Sequence, residues 1–282
     1  MILFKNQLQL SKYLHFQKNN GMTVGFVPTM GALHAGHLSL INESKKNTGL
    51  TVCSIFVNPT QFNNPKDYQK YPVTIERDIY LLEKAKTDAL YLPAVGDVYP
   101  DGTASLEQYD LGFLGTILEG KFRPGHFQGV CQVMRRLLEI VKPDSLYMGQ
   151  KDYQQCMVVK KLLQFMESDT KFVACPTLRE ADGLAMSSRN TRLTPEERKR
   201  AIGIYEALNY LQTHLNSGDT QYILREAKSI LLKNKFVIDY LELANPDTLQ
   251  TADDGDSQGK IVALVAAFQD EIRLIDNMIL VS

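Results

Sequence analysis

The segment MTVGFVPTMGALHAGHLSLINESKK, residues 22–46, decides the fold. Its first part, 22–28, is strand-like, and 38–45 is helix-like, so the tetrad HAGH, His34 to His37, lies between a strand and a helix. Two imidazoles three residues apart lie on one side of a first helical turn, and Gly36 lets an anion approach the backbone. Free N–H groups and the helix dipole add to the attraction. The segment therefore predicts a nucleotide phosphate site.

The first part of the chain alternates between strand-like and helix-like segments. Strand-like runs occur at 23–27, 51–57, 89–92, 145–148 and 172–174, and helical patterns occur at 37–46, 74–86, 128–141 and 154–167. This alternation predicts an α/β fold with a doubly wound parallel sheet covered by helices. Such sheets bind ligands at the carboxyl ends of their strands. The histidines follow the first strand-like run, residues 58–62 the second, and residues 149–155 the fourth.

The pattern changes after Cys175. Residues 179–194 are rich in charged and small side chains, and Thr194 before Pro195 is typical of a helix N-cap. Helical segments at 195–215 and 219–233 precede strand-like runs at 237–243, 261–268 and 272–280. We therefore expect a Rossmann-like domain at 1–176 that binds the substrates and a smaller C-terminal α+β domain at 177–282, which is a candidate lid.

The composition excludes some kinds of partner. Lys and Arg number 31 against 32 Asp and Glu, so the net charge of −1 gives no overall attraction to nucleic acid or to an anionic membrane. The N-terminal segment lacks the apolar stretch of a signal peptide, and the apolar run at 261–268 is too short to cross a bilayer. The four cysteines form no C-x-x-C pair, which suits a reducing compartment. We expect a cytoplasmic protein that binds neither nucleic acid nor membrane.

Residues 115–121, GTILEGK, come near to the P-loop pattern for binding phosphate. Phe122 stands where that pattern requires a magnesium-binding Ser or Thr, and no strand-like run precedes the segment. We therefore exclude a P-loop. With no third ligand in their neighbourhood, His34 and His37 are poor candidates for a metal site.

A second group of phosphate-binding side chains occurs at 186–190, MSSRN. Ser187 and Ser188 offer hydroxyls and Arg189 offers a guanidinium, which are compact donors for phosphate oxygens. Together with the upstream histidines, this segment resembles the two-part signature of the His-x-Gly-His nucleotidyl transferases, which are related to class I aminoacyl-tRNA synthetases. Their second motif usually carries lysines, so the resemblance implies that Lys151 and Arg123 supply additional positive charge here.

A more specific resemblance rests on five segments in order. The chain is similar to the pantothenate synthetase family, the AMP-forming pantoate:β-alanine ligases, over about residues 27–190. The segments are PTMGALHAGH (28–37), VNPTQF (57–62), RPGHF (123–127), GQKDYQQ (149–155) and READGLAMSSRN (179–190). Gln150 is a departure, because many relatives are expected to carry an acidic residue there.

The resemblance implies a reaction in two steps. The carboxylate of pantoate attacks the α-phosphate of ATP, which gives pantoyl adenylate and pyrophosphate, and β-alanine then attacks the acyl carbon to release pantothenate and AMP. ATP is thus the co-substrate, with Mg²⁺ expected on its triphosphate. The family resemblance also implies a homodimer.

The same resemblance assigns roles to side chains. His34, His37, Lys151 and Arg189 are the catalytic candidates, and His37 is expected to donate a proton to the leaving group because imidazole titrates near neutrality. ATP is expected to contact residues from three segments: Met30, Gly31, Ala32, Leu33, His34, Ala35, Gly36, His37, Gly149, Gln150, Lys151, Asp152, Leu178, Met186, Ser187, Ser188 and Arg189.

Neutral amides are the expected readers of pantoate. Gln61 and Gln155 each offer a donor and an acceptor without forming a fixed ion pair with the carboxylate. Asn58 and Tyr71 are expected to help. Arg123 is expected to bind phosphate or the carboxylate of the amino acid, or else to tether its own loop, and His126 is expected to be structural.

Two other classes of protein are compatible with these motifs. One is a nucleotidyl transferase whose acceptor is itself a phosphate, which would need an extra cationic acceptor site. The other is a regulator that binds nucleotide without catalysis. Gln61 and Gln155 on the acceptor side favour a carboxylic acid over a phosphate, and the complete set of phosphate donors favours an enzyme.

Overall fold

The computed structural model describes residues 1–63, 65–104, 106–215, 219–251 and 260–280. The chain divides into two compact units, Met1–Pro176 and Thr177–Ser282. The first unit has a hydrophobic core on each face of a sheet, and the second unit has a core of its own.

A single parallel sheet organises the described part of the first unit. Its strand order is β1-β4-β3-β2-β5-β6. The strands are β1 (Ile2–Phe4), β2 (Val24–Thr29), β3 (Leu50–Ile55), β4 (Ala89–Tyr91), β5 (Ser145–Gly149) and β6 (Lys171–Cys175).

Helices cover both faces of this sheet. They are α1 (Gln7–Asn19), α2 (Ala35–Asn47), α3 (Pro65–Gln69), α4 (Ile75–Lys84), α5 (Val95–Val98), α6 (Leu118–Phe122), α7 (His126–Val141) and α8 (Tyr153–Phe165). Because successive strand residues face opposite sides, Phe26 packs with α1, α7 and α8, whereas Val27 packs with α2 and α4. The predicted doubly wound α/β fold is confirmed.

The strand order reverses beside β2. The chain runs from β2 outward to β3 and β4 and then returns to place β5 on the other side of β2. The ladder between β2 and β5 consists of Gly25 with Ser145 and Phe26 with Leu146, near the beginning of both strands. The carboxyl ends of β2 and β5 therefore flank a crevice, which is where open sheets of this kind bind ligands.

The N-terminal strand and helix are absent from the sequence prediction. Three residues of β1 pair with β4 at the sheet edge, and such a short run carries little periodicity. Asn6 caps α1 by accepting from the N–H groups of Leu8 and Gln9, yet only Leu10 and Leu14 of this helix are buried. The weak apolar stripe of α1 explains why the sequence pattern does not predict this helix.

The described part of the second unit has three helices and a three-stranded antiparallel sheet, β7-β8-β9. These elements are α9 (Pro195–Ala201), α10 (Gly203–His214), α11 (Thr220–Lys233), β7 (Val237–Ala244), β8 (Ile261–Gln269) and β9 (Ile272–Leu280). The α+β prediction is confirmed. Thr194 is the predicted N-cap, but the predicted helix 195–215 is interrupted at Ile202.

The residue that follows the helix break is closely packed. A Cβ at Gly203 would lie 2.6 Å from the side chain of Asn234, so the glycine permits a close approach after α11. The segment predicted to be turn-rich, 245–260, is described except for 252–259. Within the described ranges, the helices are all too short or too polar to span a membrane.

Candidate active site

A buried carboxylate holds the loop that follows β2. The N–H groups of Ala32 and Leu33 donate to Oδ2 and Oδ1 of Asp78 at 2.9 and 2.8 Å, and Thr74 Oγ1 donates to Asp78 Oδ1 at 3.0 Å. Gly31 and Ala32 have φ angles of 83° and 49°, so that successive N–H groups form a concave nest around the carboxylate. Because their N–H groups serve the loop itself, contact of Ala32 and Leu33 with ATP stays a prediction.

The two histidines of the motif cap α2. His34 is the N-cap, and its Nδ1 accepts from the N–H of Gly36 at 3.1 Å, while His34 N–H donates to Nδ1 of His37 at 3.3 Å. The N–H of His37 also donates to His34 O at 2.9 Å. The expectation of free N–H groups at this helix start is therefore wrong for Gly36 and His37. Because each Nδ1 accepts, each neutral ring carries its hydrogen on Nε2.

Both histidines are neutral at pH 7. Burial is the main cause that lowers the pKa of His34 to about 4, followed by the positive charge of Lys151, which Asp152 partly opposes. Burial, then His34 and then Lys151 lower the pKa of His37 to about 3. Both side chains keep an intermediate exposure, so solvent offsets part of these shifts. The expectation that His37 titrates near neutrality is therefore wrong for the protein without its substrates.

The segment after β5 lies beside the histidines. A 3₁₀ turn, Gln150–Asp152, joins β5 to α8 and carries Lys151, whose charge acts on both imidazoles. The structure thus brings His34, His37, Lys151 and Asp152 together at the crevice between β2 and β5. Met30 belongs to the loop that leads to this cluster, and Ala35 is exposed at the start of α2.

Gln61 lies in the 3₁₀ turn Pro59–Gln61 that follows β3. Its Nε2 donates to Sδ of Met30 at 3.0 Å, and its Oε1 accepts from Nδ2 of Asn58 at 3.1 Å. Asn58 is 1% exposed, and its amide also donates to Gly129 O and accepts from Tyr99 OH. The structure therefore makes Asn58 a support for Gln61, and a direct contact of Asn58 with the substrate stays a prediction.

Two consecutive glutamines at the start of α8 differ in their surroundings. Gln154 is buried, donates to Leu114 O and Ile117 O at 2.8 and 3.0 Å, and accepts from Glu119 N–H at 3.0 Å. Gln155 has intermediate exposure, and its amide forms no hydrogen bond with another residue in the described ranges. Gln154 thus secures the preceding loop, while the amide of Gln155 is available to a ligand.

Arg123 is tethered within its own loop. Its Nη1 lies 3.6 Å from Oε2 of Glu119 and 3.1 Å from Nε2 of His126. These contacts agree with the tethering role considered for Arg123, and a contact with substrate stays a prediction. Tyr71 is buried and packs edge-on against Phe62, with ring centroids 5.7 Å apart, so its part in binding pantoate also stays a prediction.

The MSSRN segment forms a turn in the second unit. Ser187 Oγ accepts from Arg189 N–H at 3.2 Å and caps the 3₁₀ turn Ser188–Arg192. Met186 N–H donates to Leu178 O at 3.0 Å, which joins this segment to the residues after the unit boundary. Contacts of ATP with Leu178, Met186, Ser187, Ser188 and Arg189 stay predictions.

A buried ion pair fixes the hairpin before that turn. Arg179 donates from Nη1 to Asp276 Oδ2 at 2.5 Å and from Nη2 to Asp276 Oδ1 at 3.1 Å, and Asp276 has a side chain that is 1% exposed. Arg179 also donates to Gly183 O at 3.0 Å and lies over the ring of Tyr205. A Cβ at Gly183 would lie 2.2 Å from that ring. Glycine is therefore required for this approach.

Asp78 and Asp276 are structural supports that the sequence analysis missed. Asp78 carried a signal, because it lies on the same helical face as Ile75 and Leu82, where an acidic residue must find buried partners. Asp276 carried a weaker signal, since it lies with Arg273 and Asn277 in a strand of mostly apolar residues. Neither signal identifies the partner, which comes from a distant part of the chain.

These features define the class of protein. A doubly wound sheet with a His-x-Gly-His cap at its switch point, and a lysine beside both histidines, is the nucleotide-binding domain of the nucleotidyl transferase class. The model of the family described as pantoate-beta-alanine ligase matches residues 2–279. The chain belongs to this family and is a ligase of pantothenate biosynthesis.

Individual relatives are similar over their full length. The chain is 41% identical to pantothenate synthetase from Cytophaga hutchinsonii, covering 100% of both chains, and 43% identical to that from Flavobacterium psychrophilum, covering 99% of both. The solved pantothenate synthetase from Thermus thermophilus has a TM-score of 0.92 at 40% identity, with 99% of both chains covered.

A further solved structure contains ligands. Pantoate-beta-alanine ligase from Francisella tularensis, complexed with beta-gamma ATP and beta-alanine, has a TM-score of 0.83 at 38% identity. The match covers 99% of this chain and 97% of that one.

Proposed function

We propose that this chain joins pantoate to β-alanine through a pantoyl adenylate, with ATP as the source of the AMP group. The carboxylate of pantoate attacks the α-phosphate and pyrophosphate leaves; the amine of β-alanine then attacks the acyl carbon and AMP leaves. The observation that carries this proposal is the cluster of His34, His37 and Lys151 at the switch point of the sheet. The ligase from Francisella tularensis, whose structure contains beta-gamma ATP and beta-alanine, supports the choice of co-substrates.

The histidines act as hydrogen-bond donors toward phosphate. With Nδ1 of each ring accepting from the backbone, Nε2–H is the group that each imidazole offers to a ligand. Lys151 adds a full positive charge beside them. These donors stabilise negative charge that grows on the phosphates as pyrophosphate leaves, which is the largest contribution in many enzymes. The family resemblance implies further phosphate donors of the same kind at Ser187, Ser188 and Arg189.

The amides of Gln61 and Gln155 bind pantoate. Each amide can satisfy one carboxylate or hydroxyl oxygen, and neither forms an ion pair that would lower the reactivity of the carboxylate. The amide nitrogen of Gln61 donates to the thioether sulfur of Met30. Because this sulfur is a weak acceptor, an oxygen of pantoate readily replaces it. Arg123 and Tyr71 are additional contacts for the substrates.

Mg²⁺ arrives with the triphosphate. The described residues contain no group of three or more His, Cys, Asp or Glu side chains that could hold a metal ion. Mg²⁺ commonly keeps several waters and binds through substrate phosphates with one or two carboxylates, so the set of donors fits a metal carried by ATP. Within the cluster of His34, His37, Lys151 and Asp152, the exposed carboxylate of Asp152 is the candidate ligand for this metal. We further propose a homodimer, as the family resemblance implies, and a cytoplasmic location, as the composition and the cysteines indicate.

Exchange of labelled pyrophosphate into ATP tests this function. The first half-reaction is self-contained, so we expect exchange when pantoate and Mg²⁺ are added without β-alanine. A phosphorylated acceptor such as phosphopantetheine serves as the control. Exchange with that acceptor and none with pantoate would show that the chain transfers the nucleotidyl group to a phosphate.

A further inference from the structure

His126 is fixed in one tautomer beneath Gln61. The imidazole is 5% exposed at the first residue of α7; Nδ1 lies 2.8 Å from the backbone O of Gln61, and Nε2 lies 3.1 Å from Nη1 of Arg123. A carbonyl oxygen only accepts, and a guanidinium only donates. The neutral ring must therefore carry its hydrogen on Nδ1 and donate it to Gln61.

The turn that carries Gln61 is pressed against the same helix at a second point. A Cβ at Gly129 would lie 2.6 Å from Cα of Gln61 and 2.3 Å from O of Thr60. The carbonyl of Gly129 accepts from Nδ2 of Asn58 at 3.1 Å. The first turn of α7 thus fixes the position of the 3₁₀ turn Pro59–Gln61 and the direction of the carbonyl group of Gln61.

Nε2 of His126 leads through Arg123 and Glu119 to Gln154. Arg123 pairs with Glu119, and the N–H of Glu119 donates to Oε1 of Gln154, the neighbour of Gln155, at 3.0 Å. Each link in this series is buried or half-buried. A series of polar contacts therefore runs from the backbone of Gln61 through His126, Arg123 and Glu119 to Gln154, the residue that precedes Gln155.

We propose that His126 is a positioning residue for pantoate: its Nδ1–H, oriented by Arg123, holds the backbone of Gln61 so that the Gln61 amide faces the acid. This inference rests on the proposed role of Gln61 in binding pantoate. It assigns a substrate-specific effect to a residue that the sequence analysis expects to be structural. The nucleotide loop is supported separately by Asp78, so we expect a change at His126 to affect ATP binding less than pantoate binding.

Two isosteric substitutions separate the two ring nitrogens. The amide nitrogen of His126→Asn reaches the position of Nδ1 and can donate to Gln61, whereas the amide of His126→Gln reaches the position of Nε2 and keeps a partner for Arg123. Pantoate-dependent pyrophosphate exchange gives KM values for pantoate and ATP. We expect His126→Asn to stay close to wild type and His126→Gln and His126→Ala to raise the KM for pantoate roughly three- to tenfold, at unchanged KM for ATP.

Gly129→Ala provides an independent variant that retains the imidazole, and it too should raise the KM for pantoate by displacing the turn. A pantoate KM in His126→Gln equal to that in His126→Asn would overturn the inference, as would an equal rise in the KM for ATP. A fall in turnover that only follows the folded fraction, measured by thermal unfolding, would also overturn it. If the wild-type chain shows no pantoate-dependent exchange, the proposed function fails and this inference fails with it.

Discussion

His37 has two ring nitrogens with different tasks, and each can be altered alone. Nδ1 accepts from the backbone of His34, and Nε2–H is proposed to face the phosphates. His37→Asn keeps an acceptor near Nδ1 and removes the Nε2 donor. We expect its adenylate formation to fall by a factor of about a hundred to a thousand, or about 2.7 to 4 kcal/mol, because a transition-state contact is lost.

His37→Gln is the matched control for that substitution, because its amide reaches the position of Nε2 and should recover part of the rate. The rate of the half-reaction and the melting temperature are measured on the same samples. An intact fold with adenylate formation near the wild-type rate in His37→Asn would refute a catalytic role for this side chain.

The lowered pKa values of His34 and His37 make stability depend on pH. An unfolded histidine takes up a proton near its ordinary pKa of 6.5, whereas the folded rings do so only near 4 and 3. Between pH 6.5 and about 4 the unfolded chain therefore binds more protons, and the free energy of unfolding falls as the pH falls. Urea unfolding at pH 7 and pH 5 should show a larger loss in the wild type than in His34→Gln/His37→Gln. Equal losses would contradict this.

Gln154 and Gln155 are adjacent, and their substitutions should have different effects. Gln155→Ala removes an amide without a partner among the described residues, so we expect a loss of about 1 to 3 kcal/mol in pantoate binding with ATP binding nearly unchanged. Gln154→Ala leaves the N–H of Glu119 and two carbonyls without their partner and should lower stability. Calorimetric titration with ATP and then pantoate, together with thermal unfolding, distinguishes the two. A loss confined to ATP in Gln155→Ala would contradict its role.

At the scale of elements, α4 supports the start of α2 through the single carboxylate of Asp78. In Asp78→Asn one carboxylate oxygen becomes an NH₂ group that faces a backbone N–H, so a buried donor is left without an acceptor. We expect a loss of about 1 to 3 kcal/mol in the free energy of unfolding and weaker ATP binding. Thr74→Ala, which removes one donor and keeps the carboxylate, should have a smaller effect. Urea unfolding of both variants measures the two losses in the free energy of unfolding. Equal losses in Asp78→Asn and Thr74→Ala would show that the contacts of Asp78 with the backbone contribute little.

Local pattern explains which elements could be predicted. The periodicity and Gly36 identify β2, α2 and the phosphate motif, since these depend on neighbouring residues. The close packing of Gly203 against Asn234 and the pairing of β1 with β4 both involve partners that are remote in sequence. The different surroundings of Gln154 and Gln155 likewise depend on a remote loop, because Gln154 donates to Leu114 O, 40 residues earlier in the chain.

For the whole molecule, the alternation of strands and helices was enough to predict a doubly wound sheet and a separate α+β unit. The order β1-β4-β3-β2-β5-β6 was not predicted, because the same pattern suits several orders. The actual order determines the candidate site, since it makes β2 and β5 neighbours and so brings the histidines to Lys151. Family resemblance supplied the reactants, which no periodicity could indicate.

The adjacency of β2 and β5 also has a consequence for synthesis on the ribosome. The N–H of Val24 finds its partner in Asp144, 120 residues later in the chain. At about 5 to 20 residues per second, that partner is translated roughly 6 to 24 seconds after Val24. During that interval one edge of β2 has backbone N–H and C=O groups without their partners from β5, and an unpaired edge of this kind is prone to pair with other chains. A translational pause before residue 145 would prolong this exposure, whereas a pause after residue 175 would follow the translation of the complete sheet.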